Sequence, residues 1–196
     1  MLSLQRVKCT LIGNYGVGKT SLIHNFLNKN SVEPRSTVGI DFFMKTVKVF
    51  DQDVRISIWD TAGAERFKSL TFSYLRDSAI IFIVYDLGDK HCNANIKYWL
   101  QTIEECRVQP TVICILGNKS DQHESPYTCL KGALEPYRRQ GWIIYNGISN
   151  FEDDSFHNHV LKCLKHVIEK THIQKDPAVP IIKISIQTPQ QRTCCT

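Results

Sequence analysis

Gly13-Asn14-Tyr15-Gly16-Val17-Gly18-Lys19-Thr20 is the stretch on which the fold turns. Residues 7–12 before it form a short β-rich run, and residues 19–27 after it carry apolar side chains at helical spacing. The glycines therefore lie in a strand-to-helix turn, the setting that the phosphate-binding pattern G-x-x-x-x-G-K-[ST] requires. Glycines let the backbone wrap until successive N–H groups point inward at phosphate oxygens, and the helix that follows adds its positive end. Lys19 supplies charge for the outer phosphates, the Thr20 hydroxyl is a candidate Mg²⁺ ligand, and Ser21 closes the nucleotide-contacting run. A glycine-rich turn with a chance Lys-Thr pair is the plain alternative, and the full spacing in this setting argues against it. Taken alone, the loop does not separate GTP from ATP.

Outward from this loop the chain alternates. Residues 42–50 and 54–59 read as two strands with Asp51-Gln52-Asp53 as the turn between them. Then come strand 79–85, helix 95–106, strand 111–116, helix 127–140, strand 142–145 and helix 155–170. A run such as 79–85, apolar on both faces, belongs to a parallel sheet covered on both sides. The expected fold is thus α/β: a three-layer sandwich of the P-loop NTPase kind, whose six-stranded, mostly parallel sheet carries helices on both faces. The early hairpin supplies one antiparallel edge strand. Beyond residue 171 the pattern dissolves around Pro177, Pro180 and Pro189, so residues 1–170 read as one domain and 171–196 as a flexible tail.

Two more motifs stand at strand ends. Asp60-Thr61-Ala62-Gly63 follows an apolar strand and puts a carboxylate where α/β sheets bind ligands. Asp60 would hold Mg²⁺ through a water, and Gly63 would offer its N–H to a γ-phosphate; an aspartate capping a turn is the competing reading. Asn118-Lys119-Ser120-Asp121 follows the strand at 111–116. An aspartate accepts from both N1–H and the exocyclic amine of guanine, a donor pair that adenine lacks, so Asp121 selects the base while the Lys119 stem lies on its ring.

Composition narrows the field further. The chain has 196 residues, 42% of them hydrophobic, and a net charge of +5 whose basic residues are spread out rather than clustered. Nucleic acid is not the expected partner. No signal sequence is expected at residues 1–6, and no stretch approaches the roughly 18 apolar residues of a spanning helix. Cys9, Cys92, Cys106, Cys114, Cys129 and Cys163 are scattered without a Cys-x-x-Cys and are expected to be free thiols. The histidines show no metal-ligand spacing. Ile96, Trp99, Leu100 and Ile103 form a stripe at helical spacing, expected to be core.

The three motifs in this order resemble the Ras-superfamily GTPases, and several stretches look like the Rab branch: Val38-Gly-Ile-Asp-Phe42, Ile58-Trp-Asp-Thr-Ala-Gly63 into Glu65-Arg-Phe67, residues 67–76, and Val84-Tyr-Asp86. The resemblance spans about residues 8–170. It implies a GTP/GDP-regulated switch in membrane traffic that binds GTP or GDP with Mg²⁺. It also matches Thr37 to the switch threonine that contacts Mg²⁺ and the γ-phosphate. Effectors would read two switch segments, about residues 36–43 and 62–76. An exchange factor, an activating protein, the Rab escort protein and geranylgeranyl transferase complete the implied partners. A P-loop kinase or ATPase is disfavoured by Asn-Lys-x-Asp and by the lack of an arginine-rich lid.

The sequence also departs from that family. Ala64 stands where relatives have the glutamine that orients the attacking water, so weak intrinsic hydrolysis is expected and no intact catalytic residue is assigned. The alternative is a non-cycling, GTP-binding scaffold. Tyr15 is large for a position beside the γ-phosphate, where it either crowds an incoming arginine or shields the phosphate. Asn30-Ser31-Val32 lacks the aromatic residue that stacks on guanine in relatives, which implies weaker nucleotide affinity or faster spontaneous exchange. Asn146-Gly-Ile-Ser149-Asn150 replaces the last base-contacting motif, with Ser149 the best match. Thr193-Cys194-Cys195-Thr196 is not a CaaX box; it resembles the Rab cysteine pair that receives two geranylgeranyl groups. Two chains anchor firmly where one holds reversibly. The implied location is the cytoplasmic face of an intracellular membrane, with a cytosolic pool.

Overall fold

A computed structural model describes residues 5–27, 37, 39–61, 73–106, 112–122, 143–148 and 154–173. In order these form β1 (Gln5–Ile12), α1 (Lys19–Phe26), β2 (Ile40–Val49), β3 (Gln52–Thr61), β4 (Ile80–Asp86), α2 (Cys92–Glu105), β5 (Val112–Asn118), β6 (Ile144–Ile148) and α3 (Ser155–Ile173). The helix expected at 127–140 lies outside the described residues. The six strands run in the order β2-β3-β1-β4-β5-β6, with β2 antiparallel at the edge and every other pairing parallel.

Strand periodicity divides the core into two. Along β4, Ile80, Phe82 and Val84 face one cluster with α1 and α3, while Ile81, Ile83 and Tyr85 face a second cluster with α2. Both faces of the central strands are covered, which is why 79–85 read as continuously apolar. In the first cluster Phe156 of α3 packs edge-on against Phe82 and Phe26, at 5.3 and 5.9 Å between ring centroids. Ile96, Trp99, Leu100 and Ile103 are buried against the sheet, as their spacing indicates.

Several local expectations shift: α2 begins at Cys92 rather than at 95, and β6 runs over Ile144–Ile148 rather than 142–145. The hairpin turns at Phe50-Asp51 rather than at 51–53, because Val49 pairs with Gln52 and both turn residues adopt positive φ, 48° and 58°. Two-residue turns of this kind match the twist of the strands, and that geometric demand overrides the poor fit of a bulky Phe50 to the left-handed region. α3 continues to Ile173, three residues beyond the expected helix end. Cys9, Cys106, Cys114 and Cys163 are free, but Cys92 is disulfide-bonded, with its partner outside the described residues. Spacing along a chain does not reveal which Cβ atoms meet in space.

The strand order positions everything that follows. From β1 the chain adds β3 on one side and β4 on the other, so the order reverses at β1, and a crevice opens beyond the C-terminal ends of the strands there. The phosphate-binding pattern begins at that end.

Candidate nucleotide site

β1 gives way at Gly13, whose φ is 147°; a Cβ there would stand 2.1 Å from the Val84 carbonyl oxygen. At Gly18, φ is 95° and a Cβ would lie 2.4 Å from Nδ2 of Asn118. No side chain fits at either position, so the loop backbone is drawn tightly onto β4 and β5. α1 starts immediately after, with no capping side chain and no acidic residue in its first turn. Its leading N–H groups and positive dipole end thus suit an anion. Lys19 folds back so that Nζ donates to the carbonyls of Gly13 at 2.9 Å and Asn14 at 3.0 Å. Burial pushes its pKa down to about 8, with Asp60 pulling the other way. A buried ammonium held by neutral carbonyls is a strong attractor for phosphate oxygen.

Thr20, Thr37 and Asp60 converge beside it. Asp60, fully buried near the end of β3, accepts from Thr20 Oγ1 at 2.5 Å and from Thr37 Oγ1 at 3.3 Å, both on Oδ2. The two hydroxyls are 2.9 Å apart. Burial raises the Asp60 pKa, opposed by the Thr20 hydrogen bond, by Lys19 and by Thr37. Its other oxygen, Oδ1, is buried with no hydrogen-bond partner among the described residues. An orphaned carboxylate oxygen beside two hydroxyls is a hard-oxygen set that fits Mg²⁺, an ion that takes one or two carboxylates and fills its remaining positions with water and phosphate. When bound, that ion supplies positive charge to the outer phosphate oxygens. The site offers the ion one carboxylate and two hydroxyls, and among the described residues no group of three or more His, Cys, Asp or Glu could hold a metal.

The Asn118-Lys119-Ser120-Asp121 segment is tied to the glycine loop. Asn118, at the end of β5, donates from Nδ2 to the Val17 carbonyl at 2.8 Å, and its own carbonyl accepts from Leu87 N–H at 3.1 Å. Lys119 has φ 63° and pairs with Asp86 Oδ2 at 2.7 Å. Both partners of that pair are partly exposed, so it steers the lysine stem more than it stabilises the fold. Asp86 Oδ1 also accepts from Gly88 N–H at 2.8 Å. Asp121 follows in an exposed single turn, Ser120–Gln122.

The structure thus brings together Gly13, Lys19, Thr20, Thr37, Asp60, Asn118 and Lys119, drawn from four separate segments. It adds two residues that motif spacing did not single out for the site. Asp86 orients Lys119. Trp99 of α2 donates its indole N–H to Asn14 Oδ1 at 3.0 Å, so the Asn14 side chain points toward α2 while its carbonyl serves Lys19. Neither link is visible in the sequence, where Asn14 and Trp99 stand 85 residues apart. Tyr15 is 69% exposed on the loop. Ser36, Gly63, Ala64, Ser149, Cys194, Cys195 and most of the segment 62–76 lie outside the described residues.

Beside this edge, the face of the β2–β3 hairpin turned away from the first core carries Phe42 opposite Trp59, with ring centroids 5.1 Å apart; Tyr74 stacks on Trp59 at 5.6 Å. Lys8 Nζ sits 5.0 Å from the Trp59 centroid. Phe42 and Met44 are 47% and 60% exposed. The family model that matches this chain is that of the Ras family, over residues 8–169. With the phosphate loop, the threonine–aspartate cluster and Asn118-Lys119-Ser120-Asp121 on one sheet edge, and a match over most of its length, the chain belongs to the Ras family of small GTPases.

Proposed function

We propose that this protein is a Rab-type switch that recruits effectors at a membrane in its GTP state and depends on a partner for turnover. The observation that carries the reading is the reach of Thr37 to Thr20 and Asp60. It couples a loop far from the phosphate pattern in sequence to the Mg²⁺ and γ-phosphate position, so nucleotide state sets the loop's order. Phe42, Trp59 and Tyr74, next to that loop, form a half-exposed aromatic face of the kind that protein partners bury. The Rab-like stretches of sequence and the Cys194-Cys195 pair support membrane traffic as the setting. Asp121 chooses guanine, and the Lys119 stem, held by Asp86, covers the base.

Ala64 has no group with which to hold a water, so the chain's own hydrolysis is slow. The test is phosphate release from protein preloaded with GTP and Mg²⁺, alone, with a Rab-directed activating protein, and as the Ala64→Gln variant. Slow release by the parent, accelerated by the activator or by glutamine, supports a switch whose off-step belongs to a partner. Release at an ordinary Rab rate by the parent refutes the slow-hydrolysis reading. If neither activator nor glutamine accelerates release, the non-cycling scaffold is the better account.

A further inference from the structure

We propose that Trp99 is a positioning residue for the phosphate loop: by donating its indole N–H to Asn14 it presets the loop for the nucleotide and slows nucleotide release. The inference rests on the guanine-nucleotide reading and extends it to a residue outside every motif.

The geometry supports a preset loop in three ways. First, the donor is rigid. Trp99 is 8% exposed, and its neighbours Ile96, Leu100 and Ile103 on α2 are at most 1% exposed in the second core, so the indole cannot follow a wandering partner. The loop before α2 is itself stapled, with Asp89 accepting from His91 N–H at 2.8 Å and from Asn95 Nδ2 at 2.7 Å.

Second, the acceptor sits at the hinge of the phosphate loop. Asn14 follows Gly13, where the chain leaves β1, and its carbonyl holds Lys19 Nζ. Fixing the Asn14 side chain from below fixes the peptide planes on either side of it, and hence the direction of the next N–H groups. Asn118 fixes the far side of the same loop through the Val17 carbonyl. The loop is therefore held at two points by side chains from two different elements, and ordering it is not left to the ligand.

Third, the bond borders a small recess of mixed character. Asn14, Tyr85, Asp89, Asn95 and Trp99 line it together with aliphatic side chains from the loop, β4 and α2, and its volume of about 10 Å³ has room for no more than one water. Loss of the indole N–H leaves Asn14 Oδ1 facing that small recess, where water is a partial substitute. The expected effect is accordingly that of one net hydrogen bond, about three- to tenfold in release rate.

The experiment is a double-mutant cycle on full-length protein loaded with a fluorescent GDP, with dissociation followed after adding excess unlabelled GDP. Trp99→Phe keeps the ring and its packing but removes the donor, and Asn14→Ala removes the acceptor. Each variant is expected to release GDP about three- to tenfold faster than the parent, and the double variant no faster than the quicker single one, because both changes break the same bond. A second readout is the indole ¹H–¹⁵N resonance of Trp99, assigned by its loss in Trp99→Phe. It should move upfield in Asn14→Ala with GDP bound, which a packing role for the ring would not produce. Variants that release at the parent's rate, or effects that multiply in the double variant with an unmoved indole resonance, overturn the inference. A parent that holds no guanine nucleotide overturns the nucleotide reading, and this inference falls with it. A parent that holds GDP while the variants release it unchanged refutes the inference alone.

Discussion

Lys19 carries the sharpest consequence at the scale of single residues. With its pKa pushed down to about 8 by burial, the lysine of the nucleotide-free chain is largely neutral above that pH, and an arriving phosphate raises its pKa again. On binding, Lys19 therefore takes up roughly three quarters of a proton per site at pH 8.5 and almost none at pH 6, and its contribution to nucleotide affinity falls as pH climbs past 8. Calorimetry at pH 8.5 in two buffers of different ionisation heat measures this directly; identical heats would contradict it. Asp121→Asn replaces an acceptor by a donor facing guanine's own donors, so guanine affinity should fall by at least about a hundredfold while xanthine, with a carbonyl at that edge, gains. Competition between the two nucleotides reads the exchange. The meeting of Lys19, Thr20 and Asp60 was legible in the sequence because phosphate and divalent-ion chemistry asks for those residue types at fixed distances from a turn, and that of Asn118 because it opens the Asn-Lys-x-Asp motif at a strand end. Asn14 was legible as a loop member but not as Trp99's acceptor, since that bond joins distant segments and leaves no local pattern.

Individual elements were read well where periodicity was long and poorly where a turn was tight. The strand at 79–85 and the stripe on α2 follow from side-chain alternation and from helical spacing, and both are buried as expected. The hairpin was displaced by one residue, because the sequence cue favoured Asp51-Gln52-Asp53 and the strand twist instead selected Phe50-Asp51. A β-strand aromatic is thereby held in the left-handed region while 52% exposed. Phe50→Asn suits that conformation better and should stabilise the protein by about 0.5–1 kcal/mol, a rise of roughly 1–4 °C in the melting temperature of the GDP-loaded chain. Phe156 gives the opposite case. Wedged between Phe82 and Phe26, it is 1% exposed, and Phe156→Ala should cost about 3–5 kcal/mol in denaturant unfolding.

For the molecule as a whole, the decisive fact is that the C-terminal side of the sheet collects the ends of β1, β3, β4 and β5, so the glycine loop, the Asp60 carboxylate and the Asn118-Lys119-Ser120-Asp121 segment meet without any of them being long. The strand order was not readable from the sequence, since alternation of strands and helices is compatible with several orders; the reversal at β1 is fixed by which strands pair. Membrane attachment also belongs to this scale, and it is a proposal resting on Cys194 and Cys195. Expressed in eukaryotic cells, the Cys194→Ser/Cys195→Ser double variant should move from the membrane pellet to the soluble fraction, while each single variant is left with one lipid chain and partitions between the two. A double variant that stays in the pellet sinks the lipid-anchor reading.

The crowding of Gly18 against Asn118 constrains how the chain can change over time. Any side chain at position 18 collides with the amide that holds Val17, and shortening Asn118 to make room cuts the tie between the two loops. Each change is harmful without the other, and the pair together still forfeits the tie. Lineages carrying this arrangement therefore have no downhill route out of it, whereas Tyr15, three positions away and 69% exposed, lies outside that constraint.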